Sequence, residues 1–406
     1  MKIIKPSYIL TPNALLRGKA VAYEERIVAI DDFSALRKRF ADATLIEPKR
    51  RTLLMPGLIN AHVHLEFSAN KTTLEYGSFV PWLHSVIQER ETLINGCDTH
   101  CMQKACDTML ANGITTFGAI SSYAKDLEAA ANAKQNVIFF TELIGSQAAM
   151  ADALFSDFLA RLDMAKSIDR KGFIPAIAVH SPYSVHPILI RKALEIAKKE
   201  SLHVSAHFLE SSAEKEWCDN NEGAFAEFFK TFLNQERAVN TSDAFLSLFD
   251  DTPTLLTHGI FAQDEALQRI KKARHTVVHC PISNRLLGNG ALDIERLNKL
   301  GIDWIVATDG LGSNYTLDLF EEMKIALFMQ HGSDIAALAK QLVQNVTCNA
   351  AKALGVEKGE IREGKDADML LLELDEEPNE QIALHLILQR YNIIHTIING
   401  ESICIS

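Results

Sequence analysis

The sequence predicts an α/β protein with a (β/α)8 barrel and a small β domain built from both chain ends. Two observations support this prediction. In the middle of the chain, strand-like apolar runs alternate eight times with helix-like amphipathic segments. At the two ends, short β-like runs follow one another without crossover helices. The chain has 406 residues, and a barrel of this kind typically needs about 250, so a second domain fits the length.

The predicted barrel strands are short apolar runs that end in polar or turn-forming residues. They are Leu53–Leu65, Gly113–Ile120, Asn136–Ile144, Phe173–His180, Leu202–Leu209, Thr254–Ile260, His275–Cys280 and Ile302–Thr308. The spacing of apolar residues predicts helices between them. Examples are Asp98–Ala111, Ala151–Ile168, Pro187–Lys199, Asp264–Lys272 and Leu317–Met329. The segment Ser211–Thr252 is longer than a plain crossover, so we expect extra helices there.

The two chain ends are predicted to form the two halves of one domain. Their β-like runs are Ile3–Ile9, Lys19–Ala22, Ile27–Ile30, Met369–Leu372 and Ile393–Ile398. An Asn399-Gly400 turn follows the last run and favours a hairpin. Neither end has enough strands to bury a face by itself. We therefore predict a β-sandwich made of residues 1–56 and 358–406, with the barrel, residues 57–357, inserted between them.

Composition and charge exclude several classes of protein. The chain has 41 Lys+Arg and 52 Asp+Glu, a net charge of −11, with 47% hydrophobic and 23% charged residues. These values are typical of a soluble globular protein and exclude a disordered chain or a disulfide miniprotein. The acidic balance argues against nucleic acid or an anionic membrane as a partner.

The expected location is the cytoplasm. Mean hydropathy is only +0.01, and no apolar stretch has the length of a signal peptide or a spanning helix. The seven cysteines are then expected to be reduced thiols. Cys97, Cys101 and Cys106 crowd together on a predicted helix, but they lack a CxxC pair and do not predict a metal cluster.

Polar residues gather where the predicted barrel strands end, which is where barrel enzymes place their active sites. The first strand ends in His62-Val63-His64. Residues at i and i+2 of a strand point the same way, so both imidazoles can face the barrel axis. The fifth strand adds His207 and the eighth adds Asp309. Three imidazoles and one carboxylate suit Zn²⁺ or Fe²⁺.

Two further polar residues predict hydrolytic chemistry at this site. A metal ion would lower the pKa of a bound water and make hydroxide available near neutral pH. Glu210 at the fifth strand and His258 at the sixth are then free for proton transfer. The chain carries no P-loop, H-E-x-x-H or Gly-x-Ser-x-Gly motif.

These motifs together resemble the amidohydrolase superfamily. The matching segments are Pro56–His64, His180-Ser-Pro-Tyr183, His207-x-x-Glu210, His279-Cys-Pro-x-Ser-Asn284, Thr308-Asp-Gly-x-x-Ser-Asn314 and Gly359–Asp368. The resemblance spans essentially the whole chain and implies a metallo-dependent hydrolase barrel with a β-sandwich. Binuclear members use a barrel lysine to bridge two metals. The fourth-strand run Ala176–Ser181 offers no lysine, so one divalent metal is expected, Zn²⁺ first and Fe²⁺ as the alternative.

The resemblance is strongest to the deaminase and chlorohydrolase branch. Within it, His64–Ser68 and Phe79–Leu83 are similar to the aminodeoxyfutalosine deaminases, which act on an adenine nucleoside in menaquinone biosynthesis. The expected reaction is attack of metal-bound hydroxide on C6 of the adenine. A methylthioadenosine or S-adenosylhomocysteine deaminase, a guanine deaminase and a triazine chlorohydrolase stay open as alternatives. A non-catalytic binding barrel is a fourth, which an intact ligand set opposes.

The resemblance also assigns roles to single residues. His62, His64, His207 and Asp309 hold the metal; Glu210, His258 and Asp309 are catalytic; and His180, Glu210, Trp82 and Glu91 contact the substrate. Glu210 takes a proton from the water and gives it to the purine ring nitrogen, while His258 and Asp309 orient the water. The expected partner is a small nucleoside, and a homodimer is expected from the branch.

Some residues are left without an assigned role. The sequence does not decide what Glu66, His203 and His279 do, although His279 suggests a structural or supporting function. The Glu321-Glu322 pair is predicted to lie on a solvated helix face. The group on C5′ of the ribose is not specified either.

Overall fold

The computed structural model describes residues 1–70 and 72–403, whose strands fall into three groups along the chain. The first is β1 (Lys2–Ile4), β2 (Tyr8–Leu10), β3 (Leu15–Arg17), β4 (Lys19–Tyr23), β5 (Ile27–Asp32), β6 (Thr44–Ile46) and β7 (Thr52–Pro56). The second is β8 (Leu58–Val63), β9 (Ile114–Ser121), β10 (Asn136–Leu143), β11 (Phe173–Val179), β12 (Val204–Phe208), β13 (Leu255–His258), β14 (Thr276–His279) and β15 (Trp304–Val306). The third is β16 (Met369–Glu373), β17 (Ile393–Ile398) and β18 (Glu401–Ile403).

Helices connect most of these strands. They are α1 (Phe33–Arg39), α2 (Phe79–Gly96), α3 (Thr99–Ala111), α4 (Leu127–Asn132), α5 (Ala151–Lys166), α6 (Pro187–Glu200), α7 (Ser212–Asn220), α8 (Ala224–Leu233), α9 (Ser242–Ser247), α10 (Asp264–Lys272), α11 (Pro281–Leu286), α12 (Ile294–Leu300), α13 (Leu319–Met329), α14 (Ile335–Asn345), α15 (Cys348–Ala353) and α16 (Ile382–Leu388), with a 3-10 turn at Ala148–Met150. The extra helices predicted after the fifth barrel strand are α7, α8 and α9. The helices α1 and α16 correct the expectation that the two chain ends contain only β-like runs.

The strands β8 to β15 form the predicted barrel, which confirms the fold class. Within the described residues they are parallel and hydrogen-bonded in chain order. Side chains help to close the ring between its first and last strands. The amide of Asn60 bonds both the backbone N–H and the hydroxyl of Thr308, at 3.1 and 2.7 Å. The Asp309 N–H donates to the His62 carbonyl at 3.1 Å, so this seam brings two predicted ligands together.

The chain ends pair as predicted. In one sheet of the described residues the strand order is β18-β17-β16-β7-β2-β3, so three strands from the C-terminal end continue directly into three from the N-terminal end. There β16 is antiparallel to β7, with Met369 opposite Pro56. A second sheet, β5-β4-β1-β6, comes from the N-terminal end alone. Apolar side chains such as Ile4, Tyr23 and Leu54 fill the space between the sheets, as a sandwich requires.

Two local features refine the predicted elements. The run Leu53–Leu65 is two strands, since Gly57 separates β7 in the small sheet from β8 in the barrel. A Cβ at Gly57 would lie 2.1 Å from the Thr115 hydroxyl oxygen, so only glycine fits at this crossing. The predicted Asn399-Gly400 hairpin turn joins β17 to β18, and both its residues have positive φ, at 50° and 77°. The domain bounds at residues 56/57 and 357/358 stay a prediction.

The expectation that all cysteines are reduced is wrong for one pair. Cys97 at the end of α2 and Cys101 in the first turn of α3 form a disulfide. Their Cα atoms are 5.2 Å apart, within the range that a disulfide bridges. Cys106, Cys218, Cys280 and Cys348 are free thiols. Among the described residues, no helix has both the length and the apolar character needed to cross a bilayer.

Candidate metal centre and active site

The four predicted ligands converge at the carboxyl ends of the barrel strands. The Nε2 atoms of His64 and His207 are 3.3 Å apart. Asp309 Oδ1 lies 3.8 Å from His62 Nε2 and 3.7 Å from His64 Nε2. Ligands held about 2.0–2.2 Å from one zinc ion in a tetrahedron lie roughly 3.3–3.6 Å from each other. The buried His62 Nε2 also has no hydrogen-bond partner in the described structure, so these residues fit a divalent metal.

Neighbouring groups orient His62 and His207 so that the Nε2 atom of each faces the common centre. The other ring nitrogen of His62 shares a 3.1 Å hydrogen bond with the Thr257 hydroxyl. His207 Nδ1 donates to the His180 carbonyl at 2.9 Å, with Glu142 Oε1 3.7 Å away. Such outer contacts fix the tautomer of a metal-binding histidine and its ring orientation.

The Asp309 carboxylate is held in the same manner. Its Oδ2 accepts hydrogen bonds from the Ser283 and Ser313 hydroxyls, each at 2.9 Å, while Oδ1 accepts the Gly310 N–H at 2.8 Å. Both serines come from the motifs after the seventh and eighth strands. These donors leave Asp309 Oδ1 facing the imidazoles.

Burial and mutual charge control protonation at this centre. Burial lowers the pKa of His62 far below its ordinary value, and the charges of His207 and His64 lower it further. Burial, then the charge of His180, lowers the pKa of His207 to about 3. Burial would raise the pKa of Asp309, but the nearby histidines, His64 foremost, bring it below normal. Neutral imidazoles beside an ionised carboxylate are the protonation states that metal binding requires.

The two predicted proton-transfer residues lie against each other beside Asp309. His258 Nε2 is 3.5 Å from Glu210 Oε1 and 4.0 Å from Asp309 Oδ2. The Asn284 amide oxygen accepts the proton on His258 Nδ1 at 2.9 Å, and its NH2 donates to His279 Nδ1 at 3.1 Å. This arrangement leaves the lone pair of His258 Nε2 directed at Glu210 and Asp309.

The electrostatics suit Glu210 to carry a proton. Its side chain is buried, and burial raises its pKa well above normal, with further contributions from the charges of Asp309 and Glu214. Burial lowers the pKa of His258, which the charge of Asp309 partly offsets. A carboxyl group with a raised pKa beside a neutral imidazole can accept a proton and give it up again, as general acid–base catalysis requires.

Three residues at these strand ends have left-handed backbone conformations although none is glycine. Their φ angles are 47° for Leu209, 75° for His258 and 59° for Asp309. Such conformations cost of order 1–3 kcal/mol each and persist only where surrounding contacts enforce them. They turn the chain sharply at the rim, which directs Glu210, His258 and Asp309 toward one centre.

The predicted substrate contacts lie at different distances from this centre. His180 is adjacent, since its ring centroid lies 5.0 Å from that of His207. Trp82 on α2 donates its indole N–H to the Gly312 carbonyl at 2.9 Å, which joins α2 to the loop after Asp309. Glu91 is exposed on α2, and no hydrogen bond or ion pair in the described structure joins it to the metal ligands.

Several buried carboxylates at the same barrel end were not predicted. Glu142 accepts a hydrogen bond from the Ser122 hydroxyl at 2.5 Å, in addition to facing His207. Glu66, whose role the sequence left open, accepts the backbone N–H groups of Ser122, Tyr123 and Lys125 and so holds the loop after β9. The sequence signal that could have revealed Glu142 is the presence of a charged residue inside an otherwise apolar strand.

The prediction of a solvated Glu321-Glu322 pair is wrong for Glu322. This side chain has no exposed surface, and it accepts the Ile282 N–H at 3.0 Å and the Asn314 amide at 2.5 Å. It therefore joins the loops after the seventh and eighth strands. The amphipathic pattern of α13 did not reveal this, because the helix packs on loops at the strand ends.

His279 and His203, whose roles the sequence left open, do not belong to the ligand cluster. His279 supports Asn284 from within the seventh strand, as its motif suggested. His203 precedes β12 at the opposite end of the barrel, where its ring approaches Gly355. Burial lowers the pKa of His203.

A parallel barrel with such a cluster at its carboxyl end defines a metal-dependent hydrolase. A model of the amidohydrolase family matches residues 53–403, and the chain belongs to that family.

Two curated relatives extend this similarity along the whole chain. The chain is 47% identical to an aminodeoxyfutalosine deaminase from Nitratiruptor over 403 residues, covering 99% of both chains. It is 34% identical to an adenosine deaminase from Helicobacter pylori, covering 96% of this chain and 95% of the relative. A crystal structure of Helicobacter pylori aminofutalosine deaminase in complex with methylthio-coformycin superposes with a TM-score of 0.94, 32% identity and 100% coverage of both chains. The resemblance inferred from the motifs is thereby confirmed.

Proposed function

We propose that this chain is a hydrolytic deaminase that converts 6-aminodeoxyfutalosine to futalosine and ammonia, in menaquinone biosynthesis. The observation that carries the reaction type is the contact of Glu210 and His258 beside the four clustered donors. The choice of substrate rests on 47% identity to the Nitratiruptor enzyme over nearly the full chain.

His62, His64, His207 and Asp309 would hold one divalent metal, which we propose to be Zn²⁺, with Fe²⁺ as the alternative. The donor set of three imidazoles and a carboxylate is compatible with both. When bound, such a metal supplies hydroxide near neutral pH by lowering the pKa of water.

Glu210 moves the first proton of the reaction. It takes a proton from water and delivers it to the purine ring nitrogen next to C6, as oxygen adds to that carbon. Because burial favours the neutral carboxylic acid, Glu210 holds this proton at low cost until the ring accepts it. General acid–base help of this kind contributes roughly 10²–10⁴-fold to the rate.

His258 orients the attacking water, and Asp309 transfers the second proton of that water. His258 Nε2, free of a proton, orients the attacking water from its place between Glu210 and Asp309. The Asp309 carboxylate transfers the remaining proton of the water to the amino nitrogen. The C6–N bond then breaks, ammonia leaves, and C6 becomes a carbonyl carbon. One proton of the water thus ends on the ring and the other on ammonia.

His180, Trp82 and Glu91 are proposed to contact the nucleoside. His180 is suited to the base, since its Nδ1 is held by the Ser181 and Ser184 hydroxyls at 2.9 and 2.7 Å. Trp82 borders the loop after Asp309. Glu91 would meet the ribose hydroxyls, and its exposed position on α2 requires that the substrate extend outward along that helix.

Ammonia release from a panel of substrates tests the proposal. The panel holds 6-aminodeoxyfutalosine, adenosine, methylthioadenosine, S-adenosylhomocysteine and guanine, each with enzyme reconstituted with Zn²⁺. We expect the highest kcat/KM with 6-aminodeoxyfutalosine and formation of the corresponding hypoxanthine nucleoside. Ammonia from guanine alone would contradict the adenine nucleoside assignment.

Adenosine deamination is the second candidate function. It is favoured by the 34% identity to the Helicobacter pylori adenosine deaminase over 96% of this chain. A higher kcat/KM for adenosine than for 6-aminodeoxyfutalosine in the same panel would select it.

A further inference from the structure

The turn that presents Glu210 is held by a buried carboxylate that the proposed reaction does not use. Glu210 follows Leu209, whose φ of 47° places a non-glycine residue in the left-handed region. Leu209 is only 1% exposed, so solvent does not supply partners for its backbone. A strained conformation at such a position requires contacts that enforce it.

Glu214, in the first turn of α7, supplies those contacts. Its side chain has no exposed surface. One carboxylate oxygen accepts the Leu209 N–H at 2.9 Å, and the other accepts the Glu210 N–H at 2.8 Å. A single carboxylate bound to two consecutive N–H groups fixes both peptide planes, and with them the direction in which the Glu210 side chain leaves the chain.

Helix capping accounts for only part of this geometry. The segment from Ser211 to Glu214 has the S-x-x-E pattern of a capping box, and the Ser211 hydroxyl accepts the Glu214 N–H at 3.1 Å. In such a box the glutamate bonds to the N–H of the capping residue itself. Here the Ser211 N–H also acts on the carboxylate, but the short bonds of 2.9 and 2.8 Å go to the N–H groups of Leu209 and Glu210, the two residues before the cap. The carboxylate is therefore aligned with the catalytic turn.

Placing a second carboxylate beside Glu210 has an energetic cost that capping alone would not require. Burial raises the pKa of Glu214 to about 7, although the backbone N–H groups of Glu210, Leu209 and Ser211 oppose that shift. An exposed glutamate on the same helix would cap it without this cost. The position of Glu214 is explained if the alignment of Glu210 depends on it.

We propose that Glu214 is a positioning residue for proton transfer by Glu210, an inference that rests on the proposed deaminase function. It holds Glu210 Oε1 at its 3.5 Å distance from His258 Nε2. Loss of this alignment slows the chemical step and leaves substrate binding and the metal ligands intact. A displacement of about 1 Å at a catalytic group can reduce the rate roughly 10²-fold.

The substitution E214Q tests this proposal. The amide keeps the size of the side chain but offers only one acceptor atom, so one of the two N–H groups loses its partner. We expect kcat to fall roughly 10–100-fold, with KM changed less than about twofold and the metal content still one ion per chain. The matched control is E216Q, the same change at an exposed position two residues further along α7, which should match the wild type.

A double substitution shows whether Glu214 acts through Glu210. In an E210Q background there is no proton carrier left to align, so adding E214Q should lower kcat less than about twofold further. If E214Q reduces kcat by the same factor in both backgrounds, the two residues act independently and the proposal is overturned. An E214Q protein with wild-type kcat overturns it as well.

If E214Q folds poorly, E214D serves as the second variant. It retains the charge but shortens the side chain by one methylene, and we expect a smaller fall in kcat at unchanged KM. Wild-type kcat in E214D would contradict the positioning role. Absence of any deamination by the wild type would overturn both the proposed function and this inference, whereas a normal wild type with an unaffected E214Q overturns only the latter.

Discussion

The two ends of the barrel use buried polar residues in different ways. At the carboxyl end, the side chains of His62, His207 and Asp309 face each other, and the adjoining turns have left-handed backbones. At the amino end, buried polar side chains hold strand ends and the neighbouring domain in place, and Asn136 for example bonds to the side chains of Asp368 and Asn399. There His275 Nδ1 accepts the Thr254 N–H at 3.1 Å. The difference indicates that one end is organised around a reaction and the other around folding, the usual division in barrels of this kind.

The largest expected effect is at the metal ligands. Substitution H207A removes one imidazole and leaves the carboxylate of Asp309 facing only two histidines. We expect complete loss of both bound metal and ammonia release, because a catalytic site of this type needs its full ligand set. Metal analysis of the purified protein and a coupled ammonia assay measure the two quantities. Retained turnover would contradict the metal assignment.

The next largest effect is expected for E210Q, which separates proton transfer from metal binding at the same end of the barrel. E210Q removes the proton carrier, and Glu210 is not a proposed ligand. We expect kcat to fall about 10²–10⁴-fold, with one metal ion per chain retained. Loss of the metal in E210Q would show that Glu210 also contributes to metal binding.

A smaller effect is expected for the groups that orient the ligands. Thr257 shares a hydrogen bond with His62 Nδ1, and T257V removes the hydroxyl while keeping a similar volume. We expect metal affinity to fall roughly 10–100-fold, measured by competition with a chelator of known affinity. Unchanged affinity would mean that packing alone orients His62.

The smallest effect on activity is expected at the amino end. Burial lowers the pKa of His275 to about 4, from an unfolded value near 6.5. Between these values the unfolded chain binds a proton that the folded chain does not, so stability is lost as the pH falls from about 6.5 to 4. The contribution of this group is about 3 kcal/mol.

The substitution H275N isolates the pH-dependent contribution of His275 to stability, because the asparagine oxygen can still accept the Thr254 N–H. Urea unfolding at several pH values should show a flatter decline toward pH 4 for H275N than for the wild type, with kcat unchanged. The exposed His100 on α3 provides the control, and H100N should follow the wild type. An equal decline in H275N would contradict this assignment, and a large loss of kcat would break the division between the two ends.

The sequence predicted the parts of this molecule that depend on local periodicity. Alternation at i and i+2 placed His62 and His64 on one face, and the apolar runs located each barrel strand to within a few residues. The split of Leu53–Leu65 at Gly57 was missed, since both halves are apolar. The reason for that split is a contact with Thr115, which is distant in sequence.

The supporting carboxylates could not be predicted by the same means. Glu142, Glu214 and Glu322 are defined by what they bind, and their partners lie in turns or on other strands. Glu322 occupies a helix that reads as amphipathic, so its burial depends on how α13 packs. Glu214 lies in a capping pattern of the sequence, but that pattern does not show that its carboxylate bonds to the N–H groups of the left-handed turn at Leu209 and Glu210.

The rate of ammonia release per bound metal ion, compared between the wild type and E210Q, tests the central claim most directly. The substrate is 6-aminodeoxyfutalosine, and metal content is determined on the same preparations. The account predicts one metal ion per chain in both proteins and a rate lower by about 10²–10⁴-fold in E210Q. An E210Q protein that releases ammonia as fast as the wild type at equal metal content would contradict it.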